Sequence, residues 1–473
     1  MVSTVLKTHP KHEGHVIADW RPEDAAFWAE KGKRIATRNL WISIPALLLA
    51  FAVWMVWSVA VVNLPNIGFK FDENQLFWLA ALPGLSGATL RVFYSFMVPI
   101  FGGRRWTAIS TASLLIPALW MGFAVQDPHT PYSVFLILAL LAGFGGGNFA
   151  SSMSNISFFF PKSQKGMALG LNAGLGNLGV SVVQFVVPLV ITAGVFGVFG
   201  GEPQTWSKGD VTKTMWIQNA GFIWVPFIIA STLAAWFGMN DLATARASFR
   251  EQAVIFKRKH MWLMSWLYVG TFGSFIGFSA GLPLLTKLQF PDVDPTQYAF
   301  LGPLVGALFR PLGGWISDKL GGARVTFWTF VVMAAAVVGV LYFLGIRTQP
   351  GAFWGFLAMF MVLFLSTGIG NGSTFRMIPA ICLSMYLREA EIHGEDAVES
   401  VAVKESGMRS AAVLGFSSAI AAYGAFFIPK SFGTSIALTG GPEAALYLFI
   451  GFYLSCIAVT WWYYSRKNAP VPC

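Results

Sequence analysis

Apolar runs of about twenty residues recur twelve times along this 473-residue chain, and few architectures accommodate such a pattern. Twenty residues of helix span the roughly 30 Å hydrocarbon core of a bilayer. Inside lipid every backbone N–H and C=O must find its partner within the segment, which favours helix. Residues 39–64, 323–345 and 442–465 are clear instances. Composition agrees: 55% of residues are hydrophobic and only 11% charged, where a soluble domain carries roughly a quarter charged residues. Ten-residue stretches of alternating polarity, the mark of a membrane barrel, are missing. The chain reads as an all-α membrane protein.

Breakers between the runs place spans near 39–64, 74–100, 105–126, 131–158, 164–196 and 216–238. A second set lies near 261–288, 296–317, 323–345, 351–381, 408–431 and 442–465. Between the sets, residues 241–260 form a charged stretch expected to be the central cytoplasmic loop, and a second polar loop covers about 387–407. The expected organisation is therefore a cytoplasmic segment 1–38, a six-helix half 39–240, the loop 241–260, a second half 261–466 and a short tail 467–473. No cleavable signal peptide is visible before the first run. The leader reads as an amphipathic helix lying on the membrane surface, anchored by Trp20, Phe27 and Trp28. Lysine and arginine on the side of the termini outnumber those on the other side by 24 to 6. Basic loops stay in the cytoplasm, so both termini are expected there. The net charge of +10 follows from the same bias and does not call for nucleic acid.

The halves repeat one another. Residues 80–107 and 299–326, offset by 219, agree at 10 of 28 positions. Gly87-x3-Arg91 matches Gly306-x3-Arg310, and Gly102-Gly103-x-Arg105 matches Gly321-Gly322-x-Arg324. Two pseudo-symmetric six-helix halves with a site between them near the bilayer midplane are the implied architecture.

Arg91 and Arg310 each lie 11 residues before a Gly-Gly-x-Arg turn. Eleven helical residues rise about 16 Å, half the hydrocarbon core. A charge at that depth costs about 3 kcal/mol or more, and snorkelling serves only residues near helix ends. No Asp or Glu lies in the central part of any span to neutralise either arginine. Two such cations, one per half, describe a site for a small anion. The histidines fall in termini, loops or a span edge, so no membrane-embedded proton carrier is evident. That favours exchange of one anion for another over proton symport.

Spans four and five carry GFGGGNFASS (143–152) and GLNAGLGNLGVSVVQ (170–184). Small residues let helices approach closely, which accounts for most of these glycines. Asn177 needs a partner at lipid depth, either a structural hydrogen bond or a ligand. Tyr268 and Phe272 share one helix face, four residues apart. The cysteines Cys382, Cys456 and Cys473 have no metal-binding spacing, and no nucleophile elbow or phosphate loop is present. No cofactor, metal or enzymatic activity is expected.

The turn GGWISDKLGGARV (313–325) matches the G-x-x-x-D-[RK]-x-G-x-[RK] loop signature of the major facilitator superfamily; the first-half copy, PIFGGRRW, lacks the acid. With RVFYSFMVPIFGGRRWTA, NFASSMSNISFFFPK, GLNAGLGNLGVSVVQ, WFGMNDLAT and FFIPK, the chain resembles the nitrate/nitrite porter family of that superfamily nearly end to end. Ala173, Ala421, Tyr423 and Ala425 stand in stretches where that family is richer in glycine. The resemblance implies nitrate and nitrite as substrates in a bacterial inner membrane, with the protein a monomer. It implies that Arg91 and Arg310 grip the anion, that Phe149, Tyr268 and Phe272 wall the site, and that Asn177 lies beside it. Asp318, Arg324 and Arg105 are expected to form a latch at the cytoplasmic turns. The rival readings are a nitrate/proton symporter and, in another class, a membrane anion sensor without transport.

Overall fold

The computed structural model describes residues 14–243, 245, 257–393, 413–471 and 473. The start of the leader and parts of the two polar loops, 246–256 and 394–407, fall outside the described residues. Twelve helical segments among the described residues are long and apolar enough to cross a membrane. They are α1 (Ala25–Ile67), α2 (Glu73–Tyr94), α3 (Gly103–Ala124), α4 (Tyr132–Phe159), α5 (Lys162–Val190) and α6 (Asn219–Gly238), then α7 (Lys259–Gln289), α8 (Pro295–Leu320), α9 (Gly322–Gly345), α10 (Ala352–Met385), α11 (Val413–Thr439) and α12 (Glu443–Ser465). Among the described residues, sheet is confined to two small pairs: β1 (Val16–Ile17) runs parallel to β4 (Asp241–Leu242), and β2 (Gln204–Lys208) forms a hairpin with β3 (Val211–Met215).

Two departures from the sequence reading have local causes. The fifth span ends at Val190, and the residues after it turn into the β2–β3 hairpin rather than prolonging the helix. The leader does not lie flat as an independent surface helix. Helix begins at Ala25 and runs into α1, with Asp24 capping it by accepting from the Ala26 and Phe27 amides. Trp20 and Phe27 are buried in a small core with Phe159, Phe160 and Leu242. Trp20 Nε1 donates to Phe158 O at 3.1 Å, and Glu23 Oε1 accepts the Lys162 amide at 2.9 Å, satisfying an orphan N–H at the start of α5. The aromatic residues were legible as anchors, but their partner is the end of the bundle, not lipid.

Backbone contact at small residues sets the packing around the midplane. A Cβ on Gly146 would lie 2.7 Å from Gly87 Cα, so α2 and α4 touch main chain to main chain. The second half repeats this: a Cβ on Gly368 would run into Gly306 O, pressing α10 onto α8. Each contact lies one helical turn from the arginine of its half.

The halves meet unevenly. Hydrogen bonds from Gln184 to Ser279 O (2.7 Å) and from Ser181 to Phe300 O (3.0 Å) tie α5 to α7 and α8, and Thr89 bonds Tyr423 between α2 and α11 (2.9 Å). All three lie between the arginines and the face opposite the termini. Toward the face of the termini, several glycines among the described residues are uncovered. A Cβ on Gly166, Gly170 or Gly174 of α5, on Gly314 of α8 or on Gly415 of α11 would meet nothing within 4 Å. Among the described residues, the hydrogen bonds between the halves thus lie at the arginines and above them.

Candidate substrate site

Arg91 is fully buried (0% exposed) and Arg310 nearly so (8%). Arg91 Nε donates to Gly146 O at 2.9 Å, using the carbonyl that the Gly87–Gly146 contact brings close. Its Nη1 donates to Ser418 O of α11 at 3.1 Å, so this arginine joins the halves. The guanidinium sits over three rings, with centroids 4.6 Å away for Phe149, 5.1 Å for Trp54 and 5.2 Å for Phe272. Such stacking offsets part of the desolvation of a buried cation. Arg310 Nη2 donates to the Tyr268 hydroxyl at 3.3 Å, and its guanidinium lies 5.3 Å from the Phe375 ring.

Arg91 Nη2 and Arg310 Nη1 are buried without a hydrogen-bond partner. Neither arginine forms an ion pair among the described residues. A buried donor without an acceptor costs about 1–3 kcal/mol, more for a charged group. Two orphaned cationic donors, one from each half, therefore leave room for an acceptor carrying negative charge. The rings beside them are nearly parallel: Phe149 and Phe272 lie 6.3 Å apart at 26°, and Tyr268 and Phe272 5.6 Å apart at 24°. A π-helical turn over Val269–Gly273 follows Tyr268, and Phe272 lies inside it. Turns of this kind recur at functional sites because they re-aim side chains.

The structure thus assembles Arg91, Arg310, Phe149, Tyr268 and Phe272 in one cluster. Asn177 is buried with Oδ1 unpartnered, but no hydrogen bond among the described residues joins it to either arginine. Trp54 and Phe375 were not singled out from the sequence. Trp54 had a signal that went unused: an indole at lipid depth needs an acceptor, and its Nε1 donates to Pro83 O at 2.6 Å. Phe375 had none beyond its place next to Arg376.

The residues at the turns pair differently from the sequence expectation. Asp318 bonds Arg376 of α10, while Arg324 is exposed and enters no ion pair among the described residues. Gly321, at φ 88°, reverses the chain between them, so Asp318 faces α10 instead. In the first half Gly102 has the same φ of 88°. The acid missing from that turn comes from β4: Asp241 Oδ1 accepts the Arg104 amide at 2.7 Å and its Oδ2 lies 3.2 Å from Arg104 Nε. Arg105 stands 3.8 Å from the same carboxylate. The Asp241–Arg104 pair is buried, whereas Arg105 and the Asp318–Arg376 pair are more than half exposed. Each pair stays within its own half, Arg104–Asp241 in the first and Asp318–Arg376 in the second.

Residues 46–391 match the family model for the Major Facilitator Superfamily. The chain is 53% identical over 465 residues to the nitrate/nitrite transporter NarU of Salmonella typhimurium, covering 98% of this chain and 99% of the relative. It is 54% identical over 461 residues to NarU of Escherichia coli K12, with 97% and 98% covered. A probable nitrate/nitrite antiporter, NarK2 of Thermus thermophilus, is 43% identical over 470 residues, with 98% and 99% covered. With the two-half fold and the paired arginines, these likenesses place the chain in the nitrate/nitrite porter family of the Major Facilitator Superfamily.

Proposed function

We propose that this protein carries nitrate and nitrite across a bacterial inner membrane, exchanging one for the other by alternating access. The observation that carries this reading is the pair of mid-depth arginines from opposite halves, each with a buried N–H lacking an acceptor. The names of the relatives agree with it: two are nitrate/nitrite transporters and one a probable nitrate/nitrite antiporter. Nitrate and nitrite are planar, delocalised oxyanions, and a guanidinium presents its donors in a matching planar fork. Arg91 and Arg310 bind the anion, and Phe149, Phe272 and Tyr268 wall the space around it. Asn177, with its unpartnered oxygen, contributes from α5 once the halves have closed further. Both termini face the cytoplasm, following the basic bias of the loops on that side.

The cycle follows from charge. The bound anion offsets two buried cations that otherwise repel across the interface between the halves. An occupied carrier changes access readily; an empty one must bury both charges bare and returns slowly. That asymmetry makes exchange the favoured mode. Asp318, Arg324 and Arg105 serve as latch residues at the cytoplasmic turns; in this conformation Arg376 partners Asp318 and Asp241 partners Arg105, while Arg324 has no ionic partner among the described residues.

Purified protein in liposomes tests the reading. Labelled nitrate uptake should depend on nitrite or nitrate inside and ignore an imposed pH gradient. Uptake into anion-free vesicles driven by an inward proton gradient would instead establish symport.

A further inference from the structure

On the face opposite the termini, lysines join the halves. Lys208 of β2 donates Nζ to Pro291 O, in the connection between α7 and α8. Lys287, near the end of α7, donates Nζ to Val62 O and, at 2.7 Å, to Asn66 Oδ1, both toward the end of α1. Asn66 Nδ2 in turn donates to Ser207 O of the hairpin at 2.9 Å. Lys430 of α11 donates to Asn74 Oδ1 at the start of α2 at 3.0 Å, and its ammonium lies 4.7 Å from the Trp78 ring. Each lysine therefore reaches from one half to the other. Every cross-half acceptor is neutral. Among the described residues none of the three lysines pairs with a carboxylate within ion-pair distance. Asp294 lies within electrostatic reach of Lys287, but so does Lys208, whose like charge opposes it.

Neutral oxygens hold an ammonium by hydrogen bonds without cancelling its charge. When the halves part on this face, those oxygens leave with the opposite half. Three ammonium groups are then left at the mouth of the opened cavity without the hydrogen bonds that held them. We propose that Lys208, Lys287 and Lys430 form an anion-collecting site at the outer mouth that doubles as the lock holding that mouth shut in the present conformation. Its ligand is a small inorganic anion, so the inference rests on the anion-carrier reading above. Lysine suits the task. Its compact point charge on a flexible stem attracts an anion without the bidentate grip that would retain it. Acids stand on this face too, Asp292 and Asp294 in the α7–α8 connection and Asp72 and Glu73 before Asn74, but three freed ammonium groups at the rim raise the local anion concentration and the capture rate, and salt screens the effect. The two arginines below then take over the anion with their planar forks.

The test uses full-length protein in liposomes of fixed orientation. Lys287→Gln keeps a donor but removes the charge; Lys287→Met removes both. Lys208→Gln and Lys430→Gln report on the other two positions. All four variants should raise the half-saturating nitrate concentration several-fold more from the outer face than from the face of the termini. They should also flatten the dependence of outer-face uptake on ionic strength. The lock is read without any substrate. Ser279→Cys, in a background with the three native cysteines replaced, places a thiol on the shut side of the cavity, where Ser279 is buried beside the Gln184 contact. Lys287→Met should speed its labelling by an impermeant maleimide from outside, more than Lys287→Gln does. Equal changes in half-saturation from both faces, or no change from either, would overturn the collecting site. Unchanged labelling in Lys287→Met would overturn the lock. If the wild-type protein failed to carry nitrate, the function proposed above would fall, and the labelling arm would still decide the lock.

Discussion

Arg91 makes two hydrogen bonds to carbonyls and rests on three rings, yet keeps one donor free. Lysine at this position cannot bond Gly146 O, bond Ser418 O and present a forked pair to an oxyanion together. Arg91→Lys and Arg310→Lys should therefore each lose at least one charge-assisted hydrogen bond to the substrate, worth about 1.5–3 kcal/mol, or roughly tenfold to a hundredfold in transport efficiency. Near-normal nitrate uptake by either variant would remove that arginine from the site. The two acids near the turns should behave differently from each other. Asp241→Asn leaves Arg104 buried without its counter-charge, a loss of about 3–5 kcal/mol. Asp318→Asn breaks a pair whose members are both more than half exposed and should cost under about 1 kcal/mol. Thermal unfolding in detergent separates the two; similar losses would mean that burial does not govern these pairs.

The helices are placed by what they lack as much as by what they carry. Gly87 leaves space for the Trp54 indole and the α4 backbone, and this brings Gly146 O within reach of Arg91. Gly146→Ala would drive a methyl into Gly87 and Trp54. Overpacking of this kind costs about 1–3 kcal/mol, and it also displaces the carbonyl that orients Arg91. Lower thermal stability together with weaker nitrate binding is the expected result, whereas Gly166→Ala, facing open space, should change neither. A Gly146→Ala protein with unaltered binding would show that Arg91 does not depend on that carbonyl. Alanine in place of glycine in α11 is accommodated across the interface: a Cβ on Gly84 of α2 would lie 2.7 Å from Ala425 Cβ, so the bare backbone of α2 leaves room for that methyl.

Among the described residues, the halves are tied together on the face opposite the termini and leave glycines uncovered toward the other. The bare stretch of α5 from Gly166 to Gly174 and the exposed end of α8 near Gly314 should close on each other when the opposite mouth opens. Paired cysteines, Gly170→Cys with Gly314→Cys, should form a cross-link during exchange, and the cross-linked carrier should stop transporting. Absence of any cross-link while nitrate and nitrite turn over would rule out that approach of α5 and α8. The leader moves with the first half. Trp20, Glu23 and β1 bind it to the ends of α4 and α5 and to the exit of α6, all within that half. Trp20→Ala should destabilise the protein by about 3–5 kcal/mol through lost packing. An unchanged unfolding temperature would return the leader to the membrane surface.

The number of spans, the two-fold repeat and the burial of Arg91 and Arg310 within their helices could all be read from the residues. Each depends on local quantities: the length of an apolar run, the offset between two copies, and the helical rise from a turn. The nearby aromatics Phe149, Tyr268 and Phe272 came from family resemblance, since in so aromatic a chain their spacing alone does not separate a wall from ordinary packing. Tertiary structure decided what depends on distant partners. It brought Trp54 over Arg91, gave Asp241 to the first-half turn in place of the missing acid, and paired Asp318 with Arg376 rather than Arg324. It also folded the leader against the bundle and set three lysines between the halves on the face opposite the termini. An apolar period records that a helix is buried in lipid or protein, but not which helix it touches. Pairing across two hundred residues is settled only when the halves pack.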